Sequence, residues 1–193
     1  MNTIVAERRQ AADQLVAWAA WATISGGVLQ MVGGVINPPQ GSLAAGAAIG
    51  LSSLSHLLLL VGMLGLWASG AMGRGRLAVG AIWTVVIAWA VLAVAEPMVL
   101  INNDIANVLF GVGTLGLAVG LILAGITTFR TLQWKGWHRF TPLAAGAFLV
   151  VAVFPAFALP GRDFEYVIAA WGVCFVLLGV AMRAESEVDP TKE

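Results

Sequence analysis

Residues 46–69 read GAAIGLSSLSHLLLLVGMLGLWAS, and no Asp, Glu, Lys or Arg interrupts them. At about 1.5 Å per residue a helix of this length is roughly 36 Å long. That is enough to cross a hydrocarbon core about 30 Å thick with some tilt. Near the middle sits His56, the one His inside an apolar stretch, with Ser52 and Ser55 close by on the helix. An ionisable side chain at that depth needs a partner that lipid cannot supply, so it marks a functional position.

Five more stretches share this character. The spans read as about 14–36, 46–69, 77–95, 104–129, 141–159 and 164–182, an all-α six-helix transmembrane bundle in a single domain over 1–183. Hydrophobic residues make up 60% of the chain and charged residues 10%, with a mean hydropathy of +0.90. Soluble domains carry about 25% charged residues, so this chain cannot present a water-facing surface of ordinary polarity. Net charge is zero, which argues against a nucleic-acid partner. One cysteine, Cys174, permits no internal disulfide. The apolar run behind the polar start MNTIVAERRQAADQ is too long for a signal-peptide core and is read as a retained first span.

Punctuation sets the boundaries. Asn37-Pro38-Pro39 ends the first span, Glu96-Pro97 the third and Pro160-Gly161 the fifth, because proline cannot continue the backbone ladder. Pro155 is expected to kink the fifth. Asn103 or Asp104 is the expected N-cap of the fourth, since either can accept from a free first-turn amide. Residues 184–193, rich in carboxylates, read as a disordered cytoplasmic tail. All of the ten Lys and Arg except Arg162 fall at one end of the spans. The positive-inside rule then places both termini in the cytoplasm. Leu77-Ala-Val-Gly-Ala-Ile and Leu143-Ala-Ala-Gly-Ala-Phe each follow a basic loop, which fits an internal repeat of the second and third spans in the fourth and fifth.

The run His56-Leu-Leu-Leu-Leu-Val-Gly-Met-Leu-Gly-Leu-Trp, then Gly73-Arg-Gly-Arg-Leu-Ala-Val-Gly, resembles a broad set of small uncharacterised multispan proteins of bacteria. So does Gly113-Thr-Leu-Gly-Leu-Ala-Val-Gly-Leu-Ile-Leu-Ala-Gly. The resemblance implies a location in the bacterial cytoplasmic (inner) membrane and brings no activity with it.

Chemistry concentrates in three places. Counted by depth, Ser25, Ser52, Ser55, His56, Thr114 and Cys174 form a polar layer; alternatively, a neutral His56 bonds a carbonyl or a serine and only fixes packing. At the outer rim stand Glu96, Asn102, Asn103, Asp104 and Asn107, with Asp163, Glu165 and Tyr166 from the next connection. Asn103, Asn107, Gly111 and Thr114 share a helix face that can line a vestibule from the rim toward His56. The alternative is a solvated loop with an N-cap. Third, Trp134, Lys135, Trp137 and Arg139 read as anchors at the lipid interface. Trp83, Trp89 and Trp171 lie within spans and read as space-fillers.

His56 and Cys174 are two ligands where zinc needs three or four, and His138 lies at the wrong depth to share a haem, so no metal and no cofactor are expected. No nucleophile–base set, HExxH or phosphate loop occurs, which leans against an enzyme. Three functions remain. The first is a non-enzymatic accessory or interaction protein, working through lipid and through small-residue faces on the first span (Gly26, Gly27, Gly33, Gly34) and the fourth (Gly116, Gly120, Ala124), with a second copy or another membrane protein as partner. The second is a small transporter or channel with its site at His56. The third is a redox or lipid-modifying enzyme. In a Cys174→Ser background, a cysteine at Gly75 should resist an impermeant thiol reagent on intact cells while one at Asn103 reacts. The reverse labelling would overturn the orientation.

Overall fold

Hydrocarbon offers no partner to a backbone amide, so apolar runs of this length must satisfy their hydrogen bonds internally, as helices. The computed structural model describes residues 2–36, 38–39, 42–157 and 163–186, the side chains of 2–11 and 163 excepted. Within these residues the fold is all-helical, with no strand. The helices are α1 (Asn2–Val35), α2 (Leu43–Ala68), α3 (Arg76–Met98), α4 (Asn103–Thr131), α5 (His138–Ala156) and α6 (Asp163–Ser186). All six contain segments long and apolar enough to cross a membrane.

Local chemistry explains where they begin and end. Ser42 caps α2 by accepting from the Ala45 amide at 3.1 Å. Asn102 caps α4 by accepting from Ile105 at 3.1 Å, one residue ahead of the expected Asn103 or Asp104. Helix α3 runs through Pro97 to Met98, past its expected end at residue 95. Proline this near a C-terminus removes a single ladder bond, and the chain tightens beyond it, with Leu100 N donating to Pro97 O at 3.1 Å. Helix α5 carries Pro155 differently. It opens as a 3-10 turn over His138–Phe140, runs as α-helix over Thr141–Phe148, then widens into a π turn over Leu149–Val153. The π turn closes with the Phe154 amide donating to Leu149 O, directly ahead of Pro155. It is the irregularity next to the proline, where a kink was expected. Helix α6 continues to Ser186, so the first residues assigned to a disordered tail are helical; 187–193, Asn37, Pro160, Gly161 and Arg162 lie outside the described residues.

Consecutive helices pack against each other, and α6 returns to pack along α1, so the six form a closed ring. The α1–α6 seam runs backbone on backbone. Ala20, Gly27 and Gly34 recur every seven residues on α1 and meet Gly179, Gly172 and Glu165, spaced likewise on α6. A seven-residue repeat keeps one seam facing its partner. A Cβ on Gly27 would stand 2.7 Å from Gly172 O, and one on Gly172 would stand 2.6 Å from Gly27 O. The α3–α4 seam uses Gly113, Gly116 and Gly120 against Leu92, Ala88 and Val85. These glycines of α1 and α4 therefore meet helices of the same chain, while Gly113 and Gly116 also line an apolar groove of about 240 Å³ between α3 and α4.

Trp89, Phe175, Leu59, Met63, Leu121 and Leu178 fill the middle of the ring. The outside is apolar as well, with Leu57, Val61, Trp83, Ile87, Val112 and Leu115 exposed, a surface suited to hydrocarbon. One end is sealed. There Thr131 donates to Ala71 O at 2.6 Å, and Glu185 accepts from the Lys135 amide at 3.1 Å and lies 2.7 Å from His138 Nδ1. Leu132 takes a left-handed φ of 55°, ending α4 and turning the chain so that Trp134 enters the core at 4% exposure. Trp134 is therefore a core residue and not an interface anchor. Trp137 is half exposed at 49%, Lys135 is exposed, and Arg139 stacks over Phe129 and Phe140 at 5.0 and 4.9 Å.

The seam predicts a contrast between glycines. Gly27→Ala should lower stability by about 1–3 kcal/mol, the usual cost of overpacking. Gly46→Ala, with nothing within 4 Å of its new carbon, should be neutral or stabilising. Reversible SDS unfolding of both variants tests this, and equal effects would contradict the assigned seam.

Candidate functional site

The last buried residues of α2 toward the unsealed end are Ser55 and His56; nothing in Leu43–Leu54 is buried. Ser55 ties α2 to α1, donating to the Gly26 carbonyl at 2.8 Å, with its Oγ 3.1 Å from Gln30 Oε1. A hydroxyl in a helix interior needs such an acceptor, and the contact also holds Gln30 beside His56. The imidazole is 5% exposed and lies against the backbone at Leu92. Its Nδ1 is buried and has no hydrogen-bond partner among the described residues.

Nδ1 faces Glu96. The Oε1 of Glu96 lies 3.9 Å away, and the carboxylate is 18% exposed. That gap is too long for a direct hydrogen bond and short enough for one bridging N–H or O–H group. Glu96 is thus the member of the rim group that reaches His56. Because α3 continues through Pro97, residue 96 sits one turn beyond Leu92 on the inward side.

Beneath the pair the ring is closed by aromatic rings. His56 lies against Trp89 at 5.3 Å between centroids, Trp89 stacks on Trp171 at 5.7 Å and 19°, and Phe175 meets both edge-on at 5.4 and 4.9 Å. Trp171 is fixed by donation from Nε1 to Ala145 O at 2.9 Å. Trp89 Nε1 is buried without a partner. Trp89 and Trp171 are buried between helices, whereas Trp83 faces outward at 59% exposure.

Above this floor lies a cavity of about 520 Å³. Its polar wall is Gln30, His56, Glu96, Asn107 and Thr114; its apolar wall includes Phe110, Phe157, Phe164 and Trp171. Leu149 and Val153, the first and last residues of the π turn, also line it. A second lobe of about 150 Å³ shares Gln30, His56, Glu96 and Phe164, and adds Ser52 and Glu165. A mostly apolar hollow with a few converging polar groups is the usual form of a small-molecule site.

Four residues of the polar layer read from depth, Ser52, Ser55, His56 and Thr114, lie in or directly behind this cavity. The other two do not join them. Ser25 is exposed on the outside of α1, because the 100° step to Gly26 separates the outward face from the packed one. Cys174 is half-buried in packing and lines neither lobe. Of the rim group, Asn107 lines the larger lobe together with Gly111, while Asn103 and Asp104 are exposed and line neither. Tyr166 is exposed, and the Asp163 side chain lies outside the described residues. Gln30 was missed from the sequence; its signal is that it is a lone amide inside the first apolar run. Among the described residues, no three His, Cys, Asp or Glu side chains come together as metal ligands.

Fold and site together define a class: an all-helical protein with six helices long and apolar enough to cross a membrane, arranged around an internal cavity. Comparison with known proteins finds no family model, no curated protein and no solved structure that matches the chain.

The Ser55 tie can be tested directly. Ser55→Ala removes the only side-chain donor to the Gly26 carbonyl shown among the described residues, and should cost about 1 kcal/mol. An unchanged SDS unfolding midpoint would show that the bond contributes nothing.

Proposed function

We propose that this chain is a multipass protein of a bacterial cytoplasmic membrane that binds a small solute in the His56–Glu96 cavity and acts as a carrier for it. Both termini are cytoplasmic in this reading, and the cavity faces outward. The distribution of basic residues supports that orientation. The observation that carries the function is the buried, unpartnered His56 Nδ1, set opposite Glu96 in the wall of a cavity of about 520 Å³. An unpaired polar atom held in an apolar protein is costly, and a bound solute removes that cost.

A carrier fits better than an open channel. The Trp89–Trp171–Phe175 stack fills the ring below the cavity, so passage requires the helices to move between two arrangements. The accessory reading rests on the small-residue faces of the first and fourth spans. The glycines on α1 and α4 that motivated it are instead packed against α2, α3 and α6.

A ligand that binds only the folded state raises its stability by about 2.7 kcal/mol at a hundredfold excess over Kd. A panel of small cationic, neutral and anionic solutes should therefore include at least one that raises the melting temperature of the nanodisc-embedded protein. Thr114→Trp, which fills the cavity, should remove that rise. If no solute has an effect, or if the rise survives in Thr114→Trp, the proposal fails.

A further inference from the structure

We propose that the solute is a hydrophobic organic cation, a protonated amine on an aryl or alkyl body. This rests on the cavity being a binding site, as argued above. The two acceptors define the head-group position. A nitrogen at ordinary hydrogen-bond distance from both His56 Nδ1 and Glu96 Oε1, which stand 3.9 Å apart, subtends about 86° between them. That is somewhat narrower than the tetrahedral angle of an ammonium, and modest bending of its two N–H bonds accommodates the difference. In the tautomer whose Nδ1 lone pair is free, His56 accepts there and Glu96 accepts through its carboxylate, so an ammonium supplies a donor to each.

Charge points the same way. Among the described residues, neither lobe is lined by Lys or Arg, while Glu96 lines both. An anion placed between His56 and Glu96 would face the Glu96 carboxylate at close range. The remainder of the larger lobe suits a hydrophobic body. Phe110, Phe157, Phe164 and Trp171 supply aromatic surface, and Leu92 and Ile168 fill between them. Aromatic faces also attract an ammonium, which reinforces the choice at the polar end of the lobe. Asn107 and Thr114 lie on the α4 side of the same lobe, where they can meet a second polar group on the body.

The test uses three isosteric probes at pH 7: phenylbutylammonium, phenylbutanol and phenylbutyrate. Binding to the full chain in nanodiscs is measured by isothermal titration calorimetry, with empty nanodiscs subtracting membrane partitioning. The cation should bind at least tenfold tighter than the alcohol, and the carboxylate weakest. Glu96→Gln, which keeps the shape and removes the charge, should reduce the preference for the cation over the alcohol to below threefold. If the alcohol or the carboxylate binds the native chain as well as the cation, and Thr114→Trp abolishes that binding, the cavity is a site but the cation assignment is overturned. Persistence of the full preference in Glu96→Gln would equally overturn it. So would failure of all three probes where a different solute in the wider panel binds. Failure of the entire panel removes the underlying site reading instead. The probe series on the native chain decides the matter even if Glu96→Gln does not fold.

Discussion

The α1–α6 seam is the contact on which the rest of the architecture depends. Without it the helices form an open row of hairpins; with it they close into a ring that has an inside. Closure at this distance is possible because Gly27 and Gly172 each present a carbonyl to the other's α-carbon, where a methyl group on either would stand under 3 Å from the opposing oxygen. Between helices in lipid there is no large hydrophobic gain from association, so close backbone packing and local hydrogen bonds must supply the stability. The Ser55–Gly26 bond adds α2 to the same seam.

A closed ring of six helices has more interior than the side chains at one end fill. Toward the sealed end, Leu66, Met72, Trp134 and Met182 fill it. At mid-height the large rings of Trp89, Trp171 and Phe175 fill it. Beyond them the residues shorten or turn polar, and space remains. The polar groups collect at this change in filling. His56 lies directly on the aromatic floor, and Glu96 and Gln30 reach in from the helices on either side. Packing and chemistry are therefore set by the same residues: the stack that blocks the ring also supports the imidazole.

The six helices were readable because length and hydropathy are summed properties of a segment, insensitive to any one residue. His56 stood out because a titratable group is so costly in an apolar run. What the sequence concealed was azimuth and partnership. Ser25 and Gly26 are neighbours at nearly one depth, yet one faces outward and the other packs on Leu59. Pro97 makes Glu96 read as the end of a span, although proline near the end of a helix costs only one ladder bond. Trp134 resembled its exposed neighbour Trp137, and the left-handed turn at Leu132 that sends it inward has no glycine to announce it. The glycines on α1 and α4 announced close approach but not its partner. Small residues record how near a neighbour comes, and nothing in the pattern distinguishes a helix of the same chain from another molecule.

The π turn in α5 puts two registers into one helix. Ahead of it, Ala145 receives the indole of Trp171; after it, Phe157 contributes to the cavity wall. A π turn holds one residue more than the α-helical count, and one residue is about 100° of rotation. If that extra residue migrates along the helix or is deleted, the segment beyond it screws around by that angle while the Ala145 end stays in place. Phe157 would then swing away from the space it borders, and the wall would change composition without any helix having to tilt. The fifth helix thus carries an internal swivel beside an otherwise rigid barrel of rods.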